Sequence, residues 1–477
     1  MGINNVLQTG KSGMTSAKAG IATSGHNIAN ANTEGFSRQR VQTEAITTQQ
    51  ASGLSNGGLH VGEGSKISRV ERINDGYLEK QLREGTRDTA YHEEKQVFLN
   101  QVEDVFNEMN GDGLNRIVAK FYNDFRKLSN DPTSEAIRQS VRESSQAMVN
   151  DFKRLRGEVE AVRSHIDNRI DGNMKELNSL GKELGELNHK IRQAEVQGND
   201  ANDLRDRRDQ IVKKINAFVD VNAHPDNQGN IDVEIKGVGP LVTGVNVEDF
   251  SVHRAPSQAD QGNVDGSLQI SRSSLGNNYI TGQFQGGKIG ALIETRDQAI
   301  SGVLERLDQL AYSISSSVNE IHEKGFTQDG RTGVAFFKPV NTRTGAAGQL
   351  ALSDDVHGSV ANIATALQPD APGDNRNSLA IANLQNIHLM NNGKTTVDDF
   401  YNSIVSDIGV SSARNREAVG QQASIMTQLQ KMRDQVSGVS IDEETTNLMQ
   451  YQHAFDASAR VIKVADEMMD TVLKLRG

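Results

Sequence analysis

Read in sevens, the first thirty residues carry a two-position stripe. Leu7, Met14, Ile21 and Ile28 share one heptad position, and Ile3, Gly10, Ala17 and Ser24 share the other. One position is large and the other small, so the pattern predicts a helix that lets a partner backbone approach closely. The C-terminus repeats it: Ile441, Leu448, Phe455, Ile462 and Met469 are seven apart, with Tyr451, Ser458, Ala465 and Val472 three residues behind the last four. Between these ends the apolar spacing predicts long helices over 71–108, 114–129, 134–197, 201–219, 288–323 and 396–435, packed as an antiparallel bundle. Punctuation agrees at Gly111-Asp-Gly113, Asn130-Asp131-Pro132 and Gly198-Asn199. From about 220 to 285 helical periodicity fades. Ile231-Asp-Val-Glu-Ile235 alternates as a half-buried strand does, after the turn-forming Asp226-Asn-Gln-Gly-Asn230. The stretch 335–375 is mixed and loop-rich, and the pattern assigns it no element.

The expected fold is therefore mainly α. It has paired N- and C-terminal coiled-coil helices (1–40 with 437–477), a long antiparallel helical bundle (41–220 with 286–436) and a small inserted β-rich domain (221–285). Composition supports the helical part: of 477 residues only 35% are apolar and 4% aromatic, with no Trp, which suits long helices burying narrow stripes. A net charge of −11 offers no basic excess for a nucleic-acid partner. No run of 18 or more apolar residues is present for membrane insertion, and the first twenty residues lack a signal-peptide pattern. The absence of cysteine excludes disulfides, thiolate metal sites and Cys nucleophiles, and favours life outside the cell.

The terminal helices are the candidate assembly interface, through Leu7, Met14, Ile21, Ile28, Leu448, Phe455, Ile462 and Met469. Each large side chain is worth about 1.5–3 kcal/mol when buried. Ordering the first helix costs about 1–2 kcal/mol of backbone entropy per residue, only partly offset by helix hydrogen bonds. Gly10, Gly13, Gly20 and Gly25 each lower helix propensity by about 1 kcal/mol relative to Ala. The first helix should hold only when it finds the last helix and neighbouring subunits.

That first helix ends in an Asn-rich turn, and its residues carry a resemblance. The run Ser24-Gly-His-Asn-Ile-Ala-Asn-Ala-Asn-Thr-Glu-Gly-Phe-Ser-Arg-Gln-Arg40 resembles the N-terminal signature of bacterial flagellar axial proteins (rod, hook and hook-associated). Asn27, Ile28, Ala29, Asn30, Asn32, Thr33 and Gly35 match the motif, with Glu34 where Pro is usual. Ser37-Arg-Gln-Arg40 narrows the match towards the hook-associated members that join hook to filament. So do Gly286-Gly-Lys-Ile-Gly-Ala-Leu-Ile-Glu-Thr-Arg-Asp297, Asn319-Glu-Ile-His322, Gly330, Gly333, Phe336, Phe337 and the run Tyr451 to Ile462. The resemblance covers both ends and much of the middle, but not about 225–285. It implies a structural, extracellular part of the flagellum needed for filament assembly, not an enzyme. It implies export through the flagellar (type III) secretion apparatus without a cleaved peptide, and a chaperone on the C-terminal helices. The implied neighbours are copies of itself in a ring, the hook protein below and the second junction protein above. Rival classes are a rod or hook subunit, a cytoplasmic coiled-coil scaffold and an enzyme carried by the inserted domain. Against these stand the 286–337 landmarks, a middle without heptads and the lack of convergent polar residues in 220–285.

Candidate chemistry does not survive inspection. Gly10-Lys11-Ser12 ends like a phosphate-binding loop, but Asn5 stands where glycine is needed. Asp226, Gln228, Asn230 and Asp232 hint at a calcium loop, but Ile231 and Gly237 occupy its obligatory Gly and Glu positions. His92-Glu93 and His322-Glu323 lack a second histidine for zinc. His322 reads instead as a hydrogen-bonding residue at a helix end. The acidic residues read as i, i+4 partners on solvated helix faces. No metal, cofactor or catalytic constellation is expected.

Overall fold

The computed structural model describes residues 3–46, 64–107, 113–198, 200–226, 228–254, 267–274 and 278–476. The expected turn at residues 111–112, the breaks at Asn199 and Asn227, and positions 255–266 and 275–277 of the inserted region lie outside the described residues. In chain order, α1 (Ile3–Ala29) leads into a ribbon of β1 (Gln39–Ala45) and β2 (Ser65–Arg72). Then follow α2 (Gly76–Val105), α3 (Leu114–Asn130), α4 (Glu135–Val196) and α5 (Asn202–Phe218). The strands β3 (Val221–Pro225), β4 (Ile231–Ile235), β5 (Gly239–Thr243), β6 (Asn246–Val247), β7 (Phe250–Arg254) and β8 (Leu268–Arg272) come next. Helices α6 (Gly287–Glu294) and α7 (Ser301–His322) precede the short α8 (Ala346–Gln349), α9 (Asp354–Gly358) and α10 (Arg376–Asn383). The chain closes with α11 (Val397–Ser437) and α12 (Ile441–Arg476).

The architecture is mainly α with a β-rich insertion, as the periodicity predicts. The 62-residue α4 is its spine, roughly 90 Å long at 1.5 Å per residue. It starts where Ser134 caps Ile137 N–H, two residues after the Pro132 break. One contiguous apolar core follows it. Phe121, Phe125, Phe336 and Phe337 fill one end, and Val233, Ile235, Leu241 and Phe250 fill the other. Among the described residues, none of the core cluster comes from α1 or α12.

Two boundaries differ from the sequence reading. The helix expected from 71 begins at Gly76, where the Asp75 carboxylate accepts from Tyr77 and Leu78 N–H. Residues 65–72 instead pair antiparallel with β1, Val41 opposite Val70. The ribbon is narrow and largely exposed, so the alternation that marks a buried strand is weak there. The single helix expected over 288–323 is interrupted by a π-helical stretch, Thr295–Ile300. That stretch holds Arg296, whose buried guanidinium donates to Asp167 on α4 and the Leu268 carbonyl on β8, both at 2.9 Å, and to Asp297. π-turns of this kind place side chains a regular helix would misalign.

The strands β3 to β6 form one antiparallel meander and β7–β8 a second ladder. Both are held to α4 by two asparagines. Asn188 donates to the Ile231 and Gly244 carbonyls and accepts from Ile231 N–H. Asn178 brackets Phe250 N–H and C=O in the same manner. Gly185 lets this sheet close on the helix, since a Cβ there would sit 3.0 Å from Val247 and 3.1 Å from the Val245 carbonyl.

The stretch 335–375 is organised by side chains from distant helices. Asn319 accepts from Phe336 and Phe337 N–H at 3.0 and 2.8 Å and donates to the Phe337 carbonyl at 2.9 Å. The buried Arg138 donates to the carbonyls of Pro132 and Ile363 and to Thr365 Oγ1. His322 Nε2 accepts from Ala364 N–H at 2.8 Å, which leaves Nδ1 to donate to the Val334 carbonyl at 2.6 Å. Both nitrogens are committed to the neutral ring, and burial depresses its pKa to about 4. The unfolded chain takes up that proton near pH 6.5, so this contribution is full above 6.5 and is lost as pH falls towards 4. Urea titrations are expected to show the native state weakened by roughly 3 kcal/mol over that window from this residue alone. His322→Gln should flatten the slope; an unchanged slope in the variant would refute the assignment.

Candidate assembly interface

Helices α1 and α12 lie antiparallel in intimate contact, and glycines set their spacing. A Cβ on Gly10 would fall 2.7 Å from Ile462 Cγ1, one on Gly13 2.7 Å from Ser458 Oγ, and one on Gly20 2.5 Å from the Tyr451 ring. The small heptad position therefore faces the partner helix through Gly10, Ala17 and Ser24, joined by a second row that the stripes did not announce, Gly13, Gly20 and Asn27; Gly10, Ala17, Gly20, Ser24 and Asn27 are the buried residues of α1. Across from them, Ala465 is fully buried.

The large position behaves differently. Leu7, Met14, Ile21 and Ile28 on α1, and Leu448, Phe455, Ile462 and Met469 on α12, are all only half-buried. Of these eight, the structure seats Ile462 against a glycine of α1. Ile441 and Val472, at the ends of the C-terminal stripes, are exposed. Beside the paired face, α12 presents Val461, Val464, Met468 and Val472 to solvent, and Leu473 is exposed as well. Such a row at helical spacing is left uncovered by the chain's own fold.

The Asn-rich motif builds the junction between this pair and the bundle. Asn27 is 1% exposed. Its amide donates to the Gln39 carbonyl at 2.8 Å and to Glu444 at 3.1 Å, and its oxygen accepts from Gln39 N–H at 3.0 Å. Glu444, also buried, takes Arg38 Nε at 2.8 Å, while Arg38 N–H reaches the Ser437 carbonyl at 3.0 Å. One asparagine thus ties the end of α1, the start of α12 and the chain leaving the turn. Asn30 donates to the His26 carbonyl and accepts from Thr33, closing the helix end. Gly35 has φ +81° and lies against Gln210, where a Cβ would clash. Ala29 and Asn32 face outward, and Ile28 is half-buried.

A further set of docking residues escaped the sequence reading. The start of α5 carries aspartates every third residue: 200, 203, 206 and 209. Rather than forming a solvated face, they hold the segment after α1. Asp200 accepts from Val70 N–H at 2.8 Å, and Asp203 from Gln39 Nε2 at 2.8 Å and His26 at 3.1 Å. Asp206 accepts from Ser37 N–H at 3.0 Å and Arg72 at 2.7 Å, and Asp209 from Arg72 at 2.9 Å. Burial lifts the Asp206 carboxyl above the usual range, against the opposing pull of Ser37 and Arg72. The three-residue repeat was the available signal, since it places all four carboxylates within reach of one edge.

The rejected chemistries sit as ordinary structure. Lys11 and Ser12 lie inside α1, Ser12 bonding back to the Thr9 carbonyl. Asp226 spends its oxygens on the N–H groups of Gln228 and Asn230 and on the Asn230 amide, and Asp232 accepts from Gly244 N–H. His92 bonds Asn415 between α2 and α11. Among the described residues, no helix is long and apolar enough to cross a membrane.

The described residues form a long helical bundle whose two chain ends pair as helices, with apolar residues of the last helix left uncovered. The comparisons give the family. Residues 99–337 match the model of the flagellar hook-associated protein FlgK helical domain, and 422–475 that of the flagellar basal body rod FlgEFG protein C-terminal region. Flagellar hook-associated protein 1 of Bacillus subtilis is 30% identical over 99% of this chain and 98% of its own length. The protein of that name from Salmonella typhimurium is 25% identical over 99% and 100%. The solved flagellar hook junction protein FlgK from Burkholderia pseudomallei shares the fold, with a TM-score of 0.66 at 15% identity, over 75% of this chain and all of that one. The chain belongs to the flagellar hook-associated protein FlgK family. It is a structural protein of the bacterial flagellum, at the junction between hook and filament.

Proposed function

We propose that the α1–α12 pair is the assembly element of this junction protein, completed by the same pair in neighbouring copies arranged as a ring. One observation carries the reading: within one chain the small position is sealed while the eight large stripe residues remain half-buried and Val461, Val464, Met468 and Val472 lie open. A second layer of helices against these rows would remove them from water, at about 25 cal/mol per Å² of apolar surface. In this proposal 1–40 with 437–477 acts as the terminal unit, the bundle and the β-rich 221–285 region project outward, and the subunit scaffolds rather than catalyses. The hook protein and the second junction protein are its axial neighbours. It leaves the cell through the flagellar export apparatus, with a chaperone shielding the C-terminal helix.

The test is amide exchange. In isolated monomer, residues 3–29 and 445–476 are expected to exchange fast while α4 is protected, and both ends should become protected on incorporation. Strong protection of the ends in a monomer would overturn the reading.

A further inference from the structure

The terminal helix pair has two sides, and each carries a different apolar surface. At roughly 100° per residue on an α-helix, the row of Gly10, Gly13 and Gly20 that meets α12 leaves two flanks on α1. Ser12 and Ser16 fall on one flank, and the half-buried Leu7, Met14 and Ile21 fall on the other. On α12 the face toward α1 is marked by Tyr451, Ser458, Ile462 and the buried Ala465. The exposed Val461, Val464, Met468 and Val472 fall to one side of that face, and the half-buried Leu448 and Phe455 to the other.

Contacts fix which flanks lie together. A groove of about 380 Å³ is lined by Thr9 and Ser12 of α1, Ala457 and Val461 of α12, and Gly64 and Ser65 at the start of β2. Ser16 Oγ lies 3.1 Å from Ser65 Oγ, so the β1–β2 ribbon runs along this side as well. The serine flank and the Val461 row therefore share one side of the pair. Leu7, Met14, Ile21, Leu448 and Phe455 share the opposite side. The groove on the first side is walled by small residues, whereas the second side presents large ones.

Two unlike surfaces on opposite sides decide the symmetry of the contact. A symmetric partner, like side to like side, would cover one surface and leave the other in water. A head-to-tail neighbour covers both, and such contacts close into a ring when the rotation allows. The area suffices. The 27 residues of α1 extend about 40 Å, and two helices side by side measure roughly 18–20 Å across. Each side thus offers about 700–800 Å², close to the share that one partner gives to a specific interface. We propose that the side bearing Val461, Val464, Met468 and Val472, with the ribbon beside it, docks on the Leu7, Met14, Ile21, Leu448 and Phe455 side of the next copy; this rests on the terminal-pair assembly proposed above.

A chain without cysteine makes the test direct. Val464→Cys marks one side and Leu7→Cys the other, at about the same level, since the antiparallel pair sets Gly10 on Ile462 and Gly20 on Tyr451. Cells make both single variants at once, and their hook–junction particles are treated with a short bismaleimide. Particles holding either variant alone are the controls. Each chain then has one thiol, so every linked dimer joins two copies. Head-to-tail docking is expected to give dimers in the mixed particles at least about fivefold above either control. Dimers as abundant in one control as in the mixture would mean that like sides meet, and would overturn the proposal. A long lysine-reactive reagent on unsubstituted particles reports whether copies are neighbours at all. Copies joined by it, with no maleimide dimers in any sample, would overturn the docking and leave the ring standing. Copies joined by neither would overturn the ring as well. A variant that does not enter particles is replaced by Ala457→Cys on the first side or Met14→Cys on the second, with the same outcomes.

Discussion

Cells carrying Ile462→Asp are expected to export a folded protein that fails to enter the flagellum, so that filaments are absent and swimming is lost. Ile462 lies where α12 crosses Gly10, closer than any side chain larger than hydrogen would allow on α1. Replacing it removes part of the about 1.5–3 kcal/mol that full burial of such a side chain is worth and sets a carboxylate against the α1 backbone at the close approach of Gly10. The damage should stay local. The core along α4 takes no residue from α1 or α12 among those described, so the melting transition of the bundle should match that of the parent protein. Normal filaments in these cells would refute the terminal-pair mechanism, and a collapsed melting transition would show that the pair also supports the bundle.

Asn27→Ala should loosen the joint rather than the helices. The truncation leaves Gln39 N–H and C=O without their side-chain partner and takes a donor from the buried Glu444. Buried groups left unpaired cost about 1–3 kcal/mol each, more when charged, so a loss of roughly 3 kcal/mol in docking is expected. Amide exchange over residues 37–45 and 65–72 should accelerate about a hundredfold, at 1.4 kcal/mol per factor of ten. Asn27→Asp should do no better, because it sets a second carboxylate beside Glu444. Unchanged exchange in both variants would mean that the aspartates of α5 hold the segment without the asparagine.

These two sites differ in how much of them the sequence could disclose. The stripes that contain Ile462 are local: heptad spacing is a property of consecutive residues, and it announces a helix with one small and one large edge wherever the chain goes. The same holds for the helix starts at Ser134 and Thr396, where a hydroxyl three residues from an N–H suffices. The strand Ile231–Ile235 was equally legible, since alternation needs no partner to be seen. Family membership was legible too, because the Asn27-to-Arg40 run is contiguous.

What the sequence could not disclose depends on partners hundreds of residues away. Spacing alone does not say that the small edge of α1, rather than the large one, meets α12; that follows from how closely two backbones approach when Gly10, Gly13 and Gly20 are in register with Ile462, Ser458 and Tyr451. The burial of Asn27 depends on Glu444, and the roles of Asp200 to Asp209 depend on a ribbon formed from residues 39–45 and 65–72. The stretch 335–375 has no periodicity because it is held by Asn319, His322 and Arg138 rather than by its own backbone pattern. By itself the sequence determined the helices, their caps and the amphipathic edges, all set by neighbours within a few residues. Only the tertiary structure decided which edge is sealed and which is left uncovered, because that outcome rests on long-range packing and on polar groups whose burial requires a distant partner.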